Sequence, residues 1–230
     1  MIEPQTPVRR RLAVQARGED TRRRILETAL DLFAAQGYEG ASTRQIADGA
    51  GVNLPAIQYY FGNKEGLYRA IIEDIVADTE RHMAGVSPRV RAALDRADTT
   101  PAELTELLCD MLETFVTLVT SGAQVESRRL FFARAEVEET PGLDRLHDNG
   151  MRQIFNPCLA LLSRIHGKPE TDPEMTMRTM ALIGQVVIFC SNNKRPILAA
   201  TGFDEESVRL IKQIVRDHTL AICRAAAVPR

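Results

Sequence analysis

Between residues 58 and 64 the chain places an amide, two phenols and an ammonium close together: Gln58, Tyr59, Tyr60 and Lys64. A glutamine amide carries a donor beside an acceptor, the pair that matches adenine in the major groove. Tyrosine hydroxyls donate to phosphate oxygens and can lay ring carbon on a thymine methyl, and a lysine neutralises a phosphate. This is the chemistry of recognition rather than of bond breaking. The chain has no G-x-S-x-G, P-loop, H-E-x-x-H or complete dinucleotide fingerprint, and its sole S-x-x-K, Ser191 to Lys194, stands without the accompanying S-D-N and K-T-G. No enzymatic activity and no cofactor or metal is expected. The cysteines Cys109, Cys158, Cys190 and Cys223 form no C-x-x-C pair and have no histidine at zinc-site spacing, so they read as reduced, packed thiols.

The elements that must hold those side chains are short. Asn53 is an N-cap, Pro55 sits in the first turn where a missing N–H costs little, and Gly62 ends the helix about two turns on. Ile57 and Phe61, four apart, face inward with Val52, which turns residues 54, 55, 58 and 59 away from the core. A helix this short is unstable alone in water, so its neighbours must fix it. Upstream, Ser42 and Gln45 form a capping box that opens a helix carrying Ile46 and Ala47 inward and stopping at Gly49 to Gly51. A first helix is expected from about Thr21 to Gln36, with Ile25, Ala29, Leu32 and Phe33 on one face and Gly37 at its end. Asn63 caps a fourth helix through Leu67, Ile71 and Ile75 to about Met83. Helix, glycine turn, short helix is a helix-turn-helix, whose second helix enters the major groove of duplex DNA.

Charge distribution agrees. The formal net charge is −2, yet residues 1–64 hold nine Lys/Arg against seven Asp/Glu, +2, leaving 20 against 24, −4, for residues 65–230. Residues 1–18 read as a flexible basic arm, with Arg9, Arg10, Arg11 and Arg17 adding phosphate affinity. Beyond Gly85, start signals such as Thr100-Pro101, Thr140-Pro141 and Asp172-Pro173 imply helices near 88–97, 101–120, 124–137, 141–166, 173–194 and 204–226. His147 would lie on the surface of one of them. No alternating strand pattern appears, so the fold is expected to be all-α. The N-terminus lacks an apolar signal segment and no run spans a bilayer, which implies a cytoplasmic protein without membrane contact.

Residues 21–72, "TRRRILETALDLFAAQGYEGASTRQIADGAGVNLPAIQYYFGNKEGLYRAII", resemble the DNA-binding domain of TetR-family transcriptional regulators. The carrying motifs are A-x-x-L-F, the following G-Y, S-T-x-x-I-A, A-G-V and Y-Y-F-x-N-K-E-x-L. The resemblance implies a helix-turn-helix domain over 19–66, a linking helix over 64–83 and an effector-binding and dimerisation domain over 85–230. It implies that Thr43 and Arg44 meet backbone and a base, that Leu54, Pro55, Ala56 and Gln58 face base edges, that Tyr59 and Tyr60 lie on sugar-phosphate, and that Lys64 meets a phosphate. Leu54, Pro55, Ala56 and Gln58 depart from the commonest residues at those places, so the operator sequence does not carry over. Residues 129–155 and 181–190 resemble a CerR-type C-terminal domain. The implied dimer forms through helices 173–194 and 204–226 on a palindromic operator, most simply as a repressor released by a small-molecule effector. Met111, Phe115, Leu118, Phe131, Phe132, Met151, Phe155, Gln185 and Phe189 are the expected pocket wall. The fourth helix is expected to connect the two domains. An effector-independent regulator or activator is the alternative.

Overall fold

A computed structural model describes residues 7–122, 124–138, 140, 150–190 and 204–224; the side chains of residues 7–15, 136 and 190 are not described. Ten α-helices run through these residues, with no strand among them. They are α1 (Pro7–Gly40), α2 (Thr43–Ala50), α3 (Leu54–Phe61), α4 (Lys64–Met83), α5 (Ser87–Asp95), α6 (Pro101–Thr120), α7 (Val125–Glu138), α8 (Arg152–His166), α9 (Pro173–Val187) and α10 (Glu205–Arg224). A 3-10 turn, Ile188–Cys190, follows α9. None of them is long and apolar enough to cross a membrane.

Two cores divide the chain. The N-terminal head buries Ile25, Ala29 and Phe33 of α1, Ile46 of α2, Ile57 of α3 and Leu67, Ile71 and Ile72 of α4 around one another. The C-terminal body buries Leu108, Met111 and Leu112 of α6 with Cys158, Leu161 and Leu162 of α8, Leu182 and Val186 of α9 and Val215 of α10. Cys109, Cys158 and Cys223 are free and buried, as expected. Val215 of α10 points inward at 2% exposure.

Several boundaries differ from expectation. The first helix begins at Pro7, not Thr21, so residues 7–18 are helix rather than flexible arm; residues 1–6 lie outside the described residues. Pro7 is suited to a first helical turn, and the next glycine is Gly18. One interior glycine costs only about 1 kcal/mol, too little to stop a helix anchored downstream. At its other end α1 has a non-helical residue, Gly37 (φ 79°), before a last turn to Gly40. The α-helix expected over 173–194 ends at Val187, and residues 191–194 lie outside the described residues. Of the helix expected over 141–166, residues 141–149, with His147, also lie outside; Gly150 and Met151 form a π turn and α8 starts at Arg152.

Candidate DNA interface

The corner that carries the recognition side chains is fixed by caps. Ser42 Oγ accepts from the Gln45 backbone N–H at 3.2 Å and Gln45 Oε1 accepts from the Ser42 N–H at 2.9 Å, closing the capping box of α2. Gly51 ends α2 in the left-handed region (φ 64°, ψ 40°), and the Val52 N–H returns to the Ala47 carbonyl at 3.0 Å. Asn53 Oδ1 accepts from the Ala56 N–H at 3.1 Å, and Asn63 Oδ1 from the Gly66 N–H at 2.8 Å. A Cβ at Gly66 would overlap the Phe61 carbonyl oxygen, so only glycine permits this tight passage from α3 into α4. Each cap satisfies an N–H that a helix start otherwise leaves without a partner.

With Ile57 at 1% exposure as its inward anchor, α3 turns Pro55, Gln58 and Tyr59 to solvent; Tyr59 is 83% exposed. Leu54, Ala56 and Tyr60 are half-buried, so they edge the same surface. The rings of Tyr59 and Tyr60 meet edge to face at 5.0 Å. Arg44 is exposed and Thr43 half-buried at the start of α2. The expected DNA-facing residues are thus all exposed or half-buried, on α2, α3 and the start of α4, elements that pack one on the next. Lys64 is held more firmly than expected: its Nζ sits 4.6 Å from the centre of the Tyr38 ring and donates to the Glu39 carbonyl at 3.4 Å. That places its cation where α1 ends and α4 begins, with the carbonyl at the end of α1 relieving the unfavourable position of a cation near a helix N-terminus.

Sequence reasoning missed Arg22, whose guanidinium lies 5.4 Å from the centre of the Phe61 ring and ties α1 to the base of α3. It also missed how the head is attached. α4 touches both cores, as expected, but α7 lies along α1 and adds a second connection. Arg134 Nε donates to the Ala34 carbonyl at 2.7 Å and its Nη2 to the Ala35 carbonyl at 2.9 Å, while Glu138 Oε2 accepts from the Tyr38 N–H at 2.9 Å. A Cβ at Gly37 would overlap that Glu138 carboxylate, which joins the left-handed break in α1 to the end of α7. At the other end of α7, Gln124 Nε2 donates to the Glu27 carbonyl at 2.9 Å and to Asp31 at 3.0 Å. Asp78 of α4 accepts from Arg128 of α7 and from Arg81. Burial raises its carboxyl, but these arginines outweigh burial and hold it below the usual carboxylate range.

The expected pocket wall is divided by these contacts. Phe131, 1% exposed, belongs to the head core, tilted against Tyr68 at 4.8 Å, and Phe132 packs on the same core. Both are carried into the head because α7 lies on α1, a placement that helical periodicity cannot distinguish from packing in the body. Met111 and Phe115 are buried in the body core; Leu118, Met151, Phe155 and Phe189 pack against it. Gln185 Oε1 accepts from His218 Nδ1 at 3.0 Å, and its Nε2 is buried without a partner among the described residues.

Residues 25–71 match the model for bacterial regulatory proteins of the tetR family, and residues 104–226 match that for the C-terminal domain of the HTH-type transcriptional dual regulator CecR. The branch expected as CerR-type is therefore the CecR one. The chain is 31% identical over 212 residues to the dual regulator CecR of Shigella flexneri, covering 90% of this chain and 92% of that protein. Over 52 residues it is 44% identical to the transcriptional regulator RutR of Escherichia coli, covering 23% of this chain and 24% of that protein. The fold is shared with a TetR-like regulator from a Rhodococcus species (TM-score 0.56, 18% identity, 87% of this chain and 96% of that one). PfmR of Thermus thermophilus shares it as well (TM-score 0.54, 19% identity, 87% and 94%). A capped helix-turn-helix head on a CecR-type helical body thus makes this chain a member of the TetR family of transcriptional regulators.

Proposed function

We propose that the protein acts as a homodimer that represses transcription from a palindromic operator and leaves it when a small molecule binds the C-terminal body. The observation that carries the reading is the outward face of α3, where Pro55, Gln58 and Tyr59 are exposed, as is Arg44 of α2, while Ile57 fixes the helix from behind. In this reading Gln58 takes an adenine edge, Leu54, Pro55 and Ala56 make apolar base contacts, Tyr59 and Tyr60 with Thr43 hold the backbone, and Arg44 and Lys64 meet phosphates. One head reads too few base pairs to select a genomic site. Two heads about 34 to 36 Å apart read a palindrome. The exposed Met177 and Met180 of α9 and Leu210 and Ile214 of α10 support a dimer through these helices, since they leave apolar side chains in water on a single chain.

Met111, Phe115, Leu118, Met151, Phe155, Gln185 and Phe189 form the proposed effector wall, because an apolar enclosure with an unpartnered amide can orient a ligand. The effector must bind better to the state with misplaced heads, as equal affinity would shift nothing. The name of the relative from Shigella, a dual regulator, supports a second reading in which the same operator contacts activate some promoters. The test is selection of bound duplexes from a random pool by the purified protein at two salt concentrations. A palindrome with half-sites one helical turn apart is expected at both. Recovery of no motif, with binding that vanishes as salt rises, would reduce the head to phosphate contacts and overturn the reading.

A further inference from the structure

Where α1, α4 and α7 converge lies a half-open cleft of about 400 Å³, of ligand size but outside the body core. Its apolar wall is Leu26 and Leu30 of α1 with Ile71 and Ile75 of α4, each no more than 8% exposed. Arginines 22, 23, 81 and 128 line the polar side, Arg23 paired with Asp20 and Glu27. Arg81 and Arg128 share one carboxylate, Asp78, which leaves that end with a surplus cation. The Nε of Arg128 is buried behind this lining with no acceptor among the described residues, while its side chain stays partly exposed. Arg22 carries its charge over the Phe61 ring with no carboxylate partner among the described residues. Of the acidic residues on the same lining, Glu27 is held by Arg23, while Glu19 and Asp74 are exposed to solvent.

The geometry points to a binding site for an amphiphilic organic anion, with its carboxylate on Arg128 and its apolar body on Leu26, Leu30, Ile71 and Ile75. A carboxylate there competes with Asp78 for the exposed side of the guanidinium. Because the Asp78–Arg128 pair joins α4 to α7, the ligand exchanges a contact between head and body for one with itself. Its effect on DNA rests on the reading of the chain as a ligand-released operator binder. Its binding does not.

Calorimetry on the full-length protein without DNA tests the site with three probes: 4-phenylbutyrate, the neutral 4-phenylbutan-1-ol and inorganic phosphate. The carboxylate is expected to bind at least tenfold more tightly than the alcohol and more tightly than phosphate. Arg128→Gln is expected to remove that advantage while the alcohol binds as before, and the exposed Arg22→Lys, which keeps a cation over the Phe61 ring, to preserve most of it. Equal binding of acid and alcohol, binding by phosphate as tight as by the acid, or acid binding unchanged by Arg128→Gln would each overturn the site. Operator affinity is then measured with the acid at saturation, with a fall of at least fivefold expected. Tight, Arg128-dependent binding with unchanged operator affinity would keep the site and remove its regulatory role.

Discussion

The head and the body solve the same problem, packing helices, by different means. In the head, α2 and α3 are two turns each, and a side-chain cap or a left-handed glycine stands at nearly every boundary: Ser42, Gly51, Asn53, Gly62 and Asn63. In the body Thr100, Gly167 and Asp172 also cap helix ends, but α6 runs twenty residues and buries about half of them, and α8 and α10 lie along it. Short helices cannot form without local devices, whereas long ones are held by distant partners. The difference teaches that the head is locally specified yet not independent, because Phe131 of α7 completes its core.

The largest expected effect breaks that dependence. Phe131→Ala is expected to destabilise the head by about 3 to 5 kcal/mol, the usual result of emptying a buried aromatic site. Hydrogen exchange should show loss of protection in α1 and α4 before α6; loss confined to the body would place Phe131 there instead. Next is the pH response of Tyr68, which is buried against Phe131, bonds Thr140 at 2.8 Å, and has its phenol pushed up by burial to about 12. An acid whose folded pKa is raised is stabilising below its unfolded value, near 10, and that contribution fades as pH rises from there to about 12. Its size is about 2 to 3 kcal/mol. Tyr68→Phe should flatten the alkaline limb of a stability curve, and an unaltered limb would assign the loss to other groups.

The DNA face sharpens the comparison from the other side. Gln58→Ala should cost about 1 to 3 kcal/mol per half-site on the selected operator and relax discrimination at one base pair. Lys64→Ala should weaken all duplexes alike and flatten the salt slope. Identical behaviour of the two variants across sequences, read by competition binding, would undo the division of roles. The smallest effect belongs to a single cap: Asn53→Ala is expected to lower stability by about 1 kcal/mol, measured by urea unfolding.

Legibility in the sequence followed the same line. The caps at Ser42, Asn53 and Asn63, the stop at Gly62 and the inward set Ile25, Ala29, Phe33 and Ile57 are local signals, and the structure places each as its neighbours imply. Contacts spanning about a hundred residues, such as Arg134 with Ala34 and Glu138 with Tyr38, leave no periodic trace, so the second connection between head and body was invisible. The same blindness sent Phe131 and Phe132 to the wrong core. An apolar face announces that it will be covered, not by what. Helix ends without a breaker were misjudged too: nothing between Pro7 and Gly18 signals a start at Thr21.

The unbroken run of α1 from Pro7 to the bend at Gly37 makes it a lever. From Glu27, where Gln124 holds α1, twenty helical residues reach back to Pro7, about 30 Å, so a tilt of about 10° there would sweep the far end through about 5 Å. A displacement that size exceeds the separation of neighbouring base pairs along a duplex, about 3.4 Å. A tilt passed from α7 would thus be magnified at the end that carries Arg9, Arg10 and Arg11, into a step on the scale of the genetic text itself.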